Sequence, residues 1–508
     1  MRKGLLILAI VILVAAAGGA GWLAWRTPPE ASAPPEPRPP ARESFHVSKP
    51  LDVVVERLAP DDTAPAPIPW LTREIRHLLT FGKMRLLPAS AARDDAFTLH
   101  IAIAGEESAA QASIALLAPD GHLERQVELS LDLTTRLDAV RTLADELPAF
   151  LNAVRATGWA SALGTEDSAA YETFVSAAVD LLGPSGRGFT LPPAVAGQRT
   201  RTLERLEVLT RQHSGFARGW GLLALAYLSL TGDDHDALTQ MAEAAAKHAL
   251  SLDPELPDAR SAAGLVALRR GQWAHAQDQL SAALSADANA VAALEGLACL
   301  WADAGRSTAA LSMAQRAVAL QPRNAGAREC LTYAQLALRP QDRRALATSE
   351  DDQPPEVARV TALTAILSGD VVTAQHALNR TVPRGGSRAW VDAMVRAANS
   401  RRYTAAALQA ITHAASEGHI DASLEVLCGA ALRQADFVFN RMLRLHKQGQ
   451  DVPLRMLWLE ETEFLRRHPR FEEIVNAAEL TTFWQDHGVP DACTLDPTLY
   501  GCHLKRRP

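Results

Sequence analysis

No Gly-rich phosphate loop, no nucleophile-elbow serine and no His-Glu-x-x-His run occurs in the 508 residues. Each of these motifs carries an arrangement that its chemistry needs, so P-loop phosphoryl transfer, elbow-serine acyl transfer and zincin hydrolysis have no anchor in this chain. An excess of positive charge is missing as well. A formal net charge of −7 leaves no basic footprint for nucleic acid. The fifteen histidines are scattered. His213 with His235, and His413 with His419, are not at the helical spacing at which two imidazoles share a metal, so they read as surface or partly buried helix residues. Asp233-Asp234-His235-Asp236 lacks the ring of ligands that a calcium loop supplies and reads as a solvated turn with a helix N-cap. No metal, cofactor or catalytic residue is expected.

What the chain does have is an internal repeat. Gly264, Gly271, Ala276, Leu280 and Ala283 within residues 257–289 return as Ala298, Gly305, Ala310, Ala314 and Ala317 within 291–324, thirty-four residues later. Small residues at those places let two helices cross closely, and the Gly supplies the turn between them. Upstream, Trp220, Leu223, Ala224 and Tyr227 open a related unit, interrupted by an insertion of about six residues between Gly232 and Gln240. Its second helix carries Ala242, Ala246 and Ala249 and stops at Asp253-Pro254, as 291–324 stops at Gln321-Pro322. Weaker copies follow over 325–339, 355–382 and 387–416.

On these residues the chain resembles tetratricopeptide repeat (TPR) proteins. The resemblance implies a right-handed helical solenoid whose first helices line a concave groove. At the lining places stand Arg218, Leu225, Asp258, Leu265, Leu268, Glu295, Cys299, Glu329 and Tyr333. Acids and leucines stand where carboxylate-binding relatives carry Lys and Asn, so the expected ligand is an apolar or basic peptide segment of a protein partner. A groove packed by the chain's own flanking helices is the competing expectation.

Met1-Arg2-Lys3 precedes an apolar run from Gly4 to Trp25, about 33 Å long as a helix. Trp22 and Trp25 suit the far interface, and the basic start favours a cytoplasmic N-terminus. An uncleaved anchor over 1–26 is the leading reading, with a cleaved signal peptide at Gly18-Gly19-Ala20 beside it. Residues 27–45, with Pro28-Pro29, Pro34-Pro35 and Pro39-Pro40, form an extended spacer. The bulk then lies in the periplasm of a bacterial inner-membrane protein.

Between 46 and 160 the period changes. A β-rich segment at 51–58 and a helix over 70–81 with Leu71, Ile75, Leu78 and Leu79 on one side come first. A short strand at 84–87 follows, then a strand over 97–104 that alternates Phe97, Leu99, Ile101, Ile103 against Thr98, His100, Ala102. Segments 112–117 and 123–131 flank Pro119-Asp120-Gly121 as a hairpin, and a helix over 138–154 closes a small α+β domain. The full expectation is an α+β domain followed by a mostly α-helical TPR-like solenoid over 168–416. A helical cap over 417–484 and an irregular tail over 485–508 complete it, behind a single N-terminal transmembrane helix.

This order, with Ala170-Tyr171 opening the repeat array and His468-Pro469-Arg470-Phe471, Phe483-Trp484, Gly488 and Pro490-Asp491 near the end, is similar to the extracytoplasmic half of membrane-spanning winged-helix regulators of the cadaverine-operon activator type. The likeness covers most of 51–495. Only three residues precede the apolar run, so the DNA-binding domain of that family is not expected, and its transcription-factor activity is not carried over.

Five cysteines in an exported chain can pair. For Cys493 and Cys502, which bracket a short Pro-containing stretch, a local bridge and two thiols stand even. Cys299 and Cys330 are read as buried thiols ahead of a bridge, and Cys428 as a core residue beside Leu424, Leu427 and Ala431. The functional expectation is a non-enzymatic, membrane-anchored periplasmic scaffold or sensor. An enzymatic or small-molecule role centred on the α+β domain or its junction with the solenoid is the alternative, and converging ionisable groups in a closed pocket would mark it.

Overall fold

The computed structural model describes residues 52–57, 69–82, 84–87, 96–105, 109–151, 159–182, 196–230, 235–322, 324–342, 355–382 and 386–504. The expected anchor, the proline spacer and Asp233-Asp234 lie outside them. Among the described residues no helix is long and apolar enough to cross a membrane. Residues 47–508 cluster into one compact unit.

Strands β1 (Asp52–Arg57), β2 (Arg85–Leu87), β3 (Phe97–Gly105), β4 (Ala109–Leu117) and β5 (Leu123–Asp132) form a single sheet of order β2-β1-β3-β4-β5. β1 runs parallel to both β2 and β3, while β3, β4 and β5 are antiparallel neighbours. The alternation read in the sequence sets the register. Ile101 opposes Ile114, which opposes Val127, and Leu99 opposes Leu116. Leu99, Ile101, Ile114 and Leu116 are buried, each contributing about 1.5–3 kcal/mol on leaving water. Gly121 makes the hairpin turn at φ +81°, with Asp120 Oδ1 accepting from the His122 amide.

Helix α1 (Pro69–Phe81) bridges β1 and β2, and its Leu71, Ile75, Leu78 and Leu79 are fully buried. Helix α2 (Arg136–Phe150) packs against β5 and α1. It runs to Phe150 with Leu151 as its C-cap, and residues 152–154 of the expected helix lie outside the described residues. A 3₁₀ turn over Trp159–Leu163 leads to α3 (Ser168–Leu182) and α4 (Ala196–Gln212).

The helical array continues as hairpins. They are α5 (Ala217–Ser229) with α6 (His235–Leu252), α7 (Pro257–Arg269) with α8 (Trp273–Ala286), and α9 (Val291–Asp303) with α10 (Ser307–Leu320). Helix α11 (Ala325–Leu338) follows. Helices α7, α9 and α11 start thirty-four residues apart, as do α8 and α10. Gly271 and Gly305 close the first helices at φ +69° and +77°. In both, the following amide reaches back five residues, Gln272 to Ala267 and Arg306 to Trp301, which is the Schellman closure that needs a left-handed residue. Gly264 sits where α7 crosses α8; an added Cβ would lie 2.6 Å from Leu280 Cγ. Three more hairpins complete the array: α12 (Pro355–Ser368) with α13 (Val371–Thr381), α14 (Ala389–Asn399) with α15 (Thr404–Ser416), and α16 (Ala422–Ala431) with α17 (Ala435–Lys447).

The chain then turns irregular and comes back onto the repeats. A 3₁₀ turn over Leu454–Trp458, short helices α18 (Glu463–Arg466), α19 (Phe471–Ala477) and α20 (Leu480–His487), and a turn over Asp491–Thr494 form this cap. Three indole N–H groups fasten it across distant sequence: Trp273 to Ala478 O at 2.6 Å, Trp458 to Asp303 O at 2.9 Å and Trp484 to Ala304 O at 2.9 Å. A continuous apolar cluster runs from Trp273 through Tyr333, Trp390 and Phe439 to Trp458, Phe471 and Trp484.

Candidate partner-binding groove

The residues expected to line the groove are brought onto neighbouring first helices, but the chain's own side chains meet most of them. Arg218, on α5, is buried; its Nη2 donates to Glu74 Oε1 of α1 at 2.7 Å and its guanidinium lies 4.6 Å from the Phe174 ring centre. The Tyr171 hydroxyl donates to the other Glu74 oxygen at 2.5 Å. Burial alone would push the Glu74 carboxyl up, but the Arg218 guanidinium brings it down to about 2. Burial, and then Arg218, pushes His77 down to about 4, so its neutral ring donates from Nε2 to Ala162 O at 2.7 Å. Burial and the Glu74 carboxylate both push the Tyr171 phenol up.

The next repeat continues the pattern. Arg73 of α1 donates to Asp258 of α7 at 2.8 Å, with both side chains about a quarter to a third exposed. Arg76 stands in the electrostatic field of Asp287. Helix α1 therefore carries two faces, apolar toward its own domain and ionic toward the inner wall of the repeats.

Farther along, the cap supplies the cation. Arg455 grips Asp303 with Nε to Oδ1 and Nη2 to Oδ2, both at 2.9 Å, while its backbone amide donates to the same Oδ1. Its Nη1 donates to Cys330 Sγ at 2.9 Å and lies 3.8 Å from Glu329. Burial works against the Arg455 charge, and Asp303 and Glu329 more than offset it. Burial also pushes the Asp303 carboxyl up, against the opposing pull of the bidentate Arg455 guanidinium. Beyond this pair, Arg359 meets Asp421 and Arg441 meets Glu425, each at 2.6 Å.

Of the remaining predicted positions, Leu225 and Tyr333 are buried, Leu265 packs on the Leu280 cluster and Leu268 on the cap core. Glu295 is buried and accepts from Asn324 Nδ2 at 2.7 Å, while Asn324 caps α11 through the Ala327 amide. The open groove expected for Arg218, Leu225, Glu295 and Tyr333 is thus corrected: these four are inside the protein, with α1 over Arg218, the next first helix over Glu295 and the core shared with the cap around Tyr333. Asp258 and Glu329 keep partial exposure.

One of the two cysteine pairs resolves differently from the reading. Cys493 and Cys502 are bridged, and so are Cys299 and Cys330, with Cα atoms 5.4 and 5.3 Å apart. The second bridge replaces the expected pair of thiols; α9 and α11 lie side by side as alternate first helices, which brings the two Sγ atoms within bonding range. Cys428 is buried as expected, and burial pushes its thiol up to about 12.

Glu74, His77, Tyr171 and Arg218 are the converging ionisable groups that the enzymatic alternative called for. Glu74 accepts from both Tyr171 and Arg218 inside the protein, while His77 donates to Ala162 O beside them, an arrangement that ties the α+β domain to the repeats. Among the described residues, no group of three or more His, Cys, Asp or Glu could hold a metal ion. The side chains at this wall that the sequence reading missed are Arg73, Glu74 and Arg455. The polar face of α1 was visible as the complement of its leucines, but nothing local says which wall it meets.

No family model and no curated protein matches the chain. Among solved structures it is similar to the TPR domain of P58(IPK), at 14% identity over 61% of this chain and 93% of that one, with a TM-score of 0.18. So loose a superposition carries no argument by itself, and the TPR-like character of the array rests on its thirty-four-residue hairpins and their shared glycine closures.

Proposed function

We propose that this chain is a non-enzymatic scaffold or sensor module, held in a bacterial inner membrane by residues 4–25, that engages a protein partner in the periplasm through its repeats. The carrying observation is the inner wall itself. Asp258 and the Asp303–Glu329 pair each hold an arginine from outside the repeat, so the wall selects basic segments. Two bridged cysteine pairs fit an oxidising compartment and support the exported reading. The likeness to the extracytoplasmic part of winged-helix regulators supports a sensor role of the same kind.

The test is in-cell crosslinking of the full-length, anchored chain, compared with a variant carrying Asp258→Asn and Glu329→Gln. A partner captured by the wild type and lost by the folded variant is the expected result. Equal capture, or none, contradicts the wall as the contact surface. Protease access in spheroplasts checks the topology, with cleavage of the bulk only from the periplasmic side expected.

A further inference from the structure

We propose that α1 is an internal ligand of the repeat wall, and that the same wall accepts an arginine-bearing amphipathic helix of a partner when α1 leaves the wall together with its own domain. The proposal deepens the scaffold reading and rests on it. Its basis is a difference between the two segments that cover the wall. The cap is seated by apolar bulk: Trp458, Phe471, Ile474, Leu480 and Trp484 are all buried in the cluster that spans the array. Separating it would expose a core, so the cap is a permanent part of the solenoid.

Helix α1 is seated in another way. Its leucines and Ile75 are buried, and the residues bonded to the wall are Arg73 and Glu74, with Arg76 in the electrostatic field of Asp287. Its backbone lies closest to β2, α2 and the 159–163 turn, so long side chains make the connection to α5 and α7. A contact of that composition resembles a transient interface rather than a core, and such interfaces exchange. The wall reads a short code: an acid at Asp258 for the arginine at 73, the field of Asp287 for the arginine three residues on, and Arg218 for the acid between them. Arginines at i and i+3 share one helix face, so any helix with that spacing presents the same pattern. The recognised class is therefore a basic amphipathic helix, in the helix-in-groove mode.

The experiment uses the full-length chain and a fluorescein-labelled, amidated peptide of residues 69–81 as the probe, read by anisotropy. In wild-type protein the tethered α1 competes at high effective concentration, so peptide binding should be weak. Arg73→Glu with Arg76→Glu in the protein weakens the internal ligand and leaves the wall unchanged, and affinity for the wild-type peptide should rise at least tenfold. Adding Asp258→Lys should remove that gain, and a peptide carrying Arg73→Glu should not show it. Should the double glutamate variant fail to fold by thermal melting, Arg73→Ala with Arg76→Ala makes the same comparison. Equal affinity for wild-type and α1-weakened protein, or a gain that survives Asp258→Lys, would overturn the proposal. Partner capture that persists while peptide affinity does not respond would sink this inference and leave the scaffold reading standing.

Discussion

His77 shows how a single ring reports on the junction. It sits between the Arg218 and Glu74 charges, with Asp258 in reach and Ala162 O as its acceptor, and its pKa is held near 4 against an ordinary 6.5. Between those values the unfolded chain takes up a proton that the folded one refuses. Stability from this group is therefore fully present above about pH 6.5 and is lost as pH falls toward 4. Urea unfolding of the wild type and of His77→Gln across that window should differ in slope, with the wild type losing more on the acid side. Parallel curves would mean that His77 titrates normally in the fold. Nothing in the sequence marks this histidine apart from the other fourteen, since its depression comes from burial at the junction and from Arg218, which lies far along the chain.

At the scale of elements, the hairpins follow from small residues at crossings. In an exposed helix, replacing Gly by Ala gains about 1 kcal/mol. At Gly264 the sign should reverse, because a methyl would meet Leu280 at 2.6 Å and Ala276 O at 3.2 Å. Gly264→Ala should cost about 1–3 kcal/mol by overpacking and Gly264→Leu more, measured by thermal or denaturant unfolding. A neutral or stabilising alanine would disprove the close crossing. This part of the fold was legible: the repeat period, the turn glycines, the strand alternation and the leucine face of α1 are all local patterns. The bridge between Cys299 and Cys330 was half legible, because the sequence put both on first helices but not within bonding distance. Under non-reducing conditions the folded protein should show no thiol reactive with Ellman's reagent, and the denatured protein one, Cys428. Three or five thiols on denaturation would contradict the bridges.

For the molecule as a whole, the wall and its occupants come from opposite ends of the chain. Arg73 and Asp258 are 185 residues apart, Arg455 and Asp303 are 152 apart, and no periodicity links such partners. The sequence identified acids suited to basic segments and offered a groove packed by the chain's own flanking helices as the competing expectation; it could not show which segments those are. The consequence is a body in which buried charge ties α1 of the α+β domain to the repeats. Buried ion pairs gain little over apolar packing but are costly to break on one side only, about 3–5 kcal/mol. That asymmetry makes the junction specific in register without demanding that it be permanent.

The most direct test is a double-mutant cycle between Glu74 and Arg218, measured as unfolding free energy of the wild type, Glu74→Ala, Arg218→Ala and the double variant. The junction predicts a coupling of about 1–3 kcal/mol, with the double variant less damaged than the sum of the single changes. Effects that add to within about 0.5 kcal/mol would contradict the docking of α1 on the repeat wall.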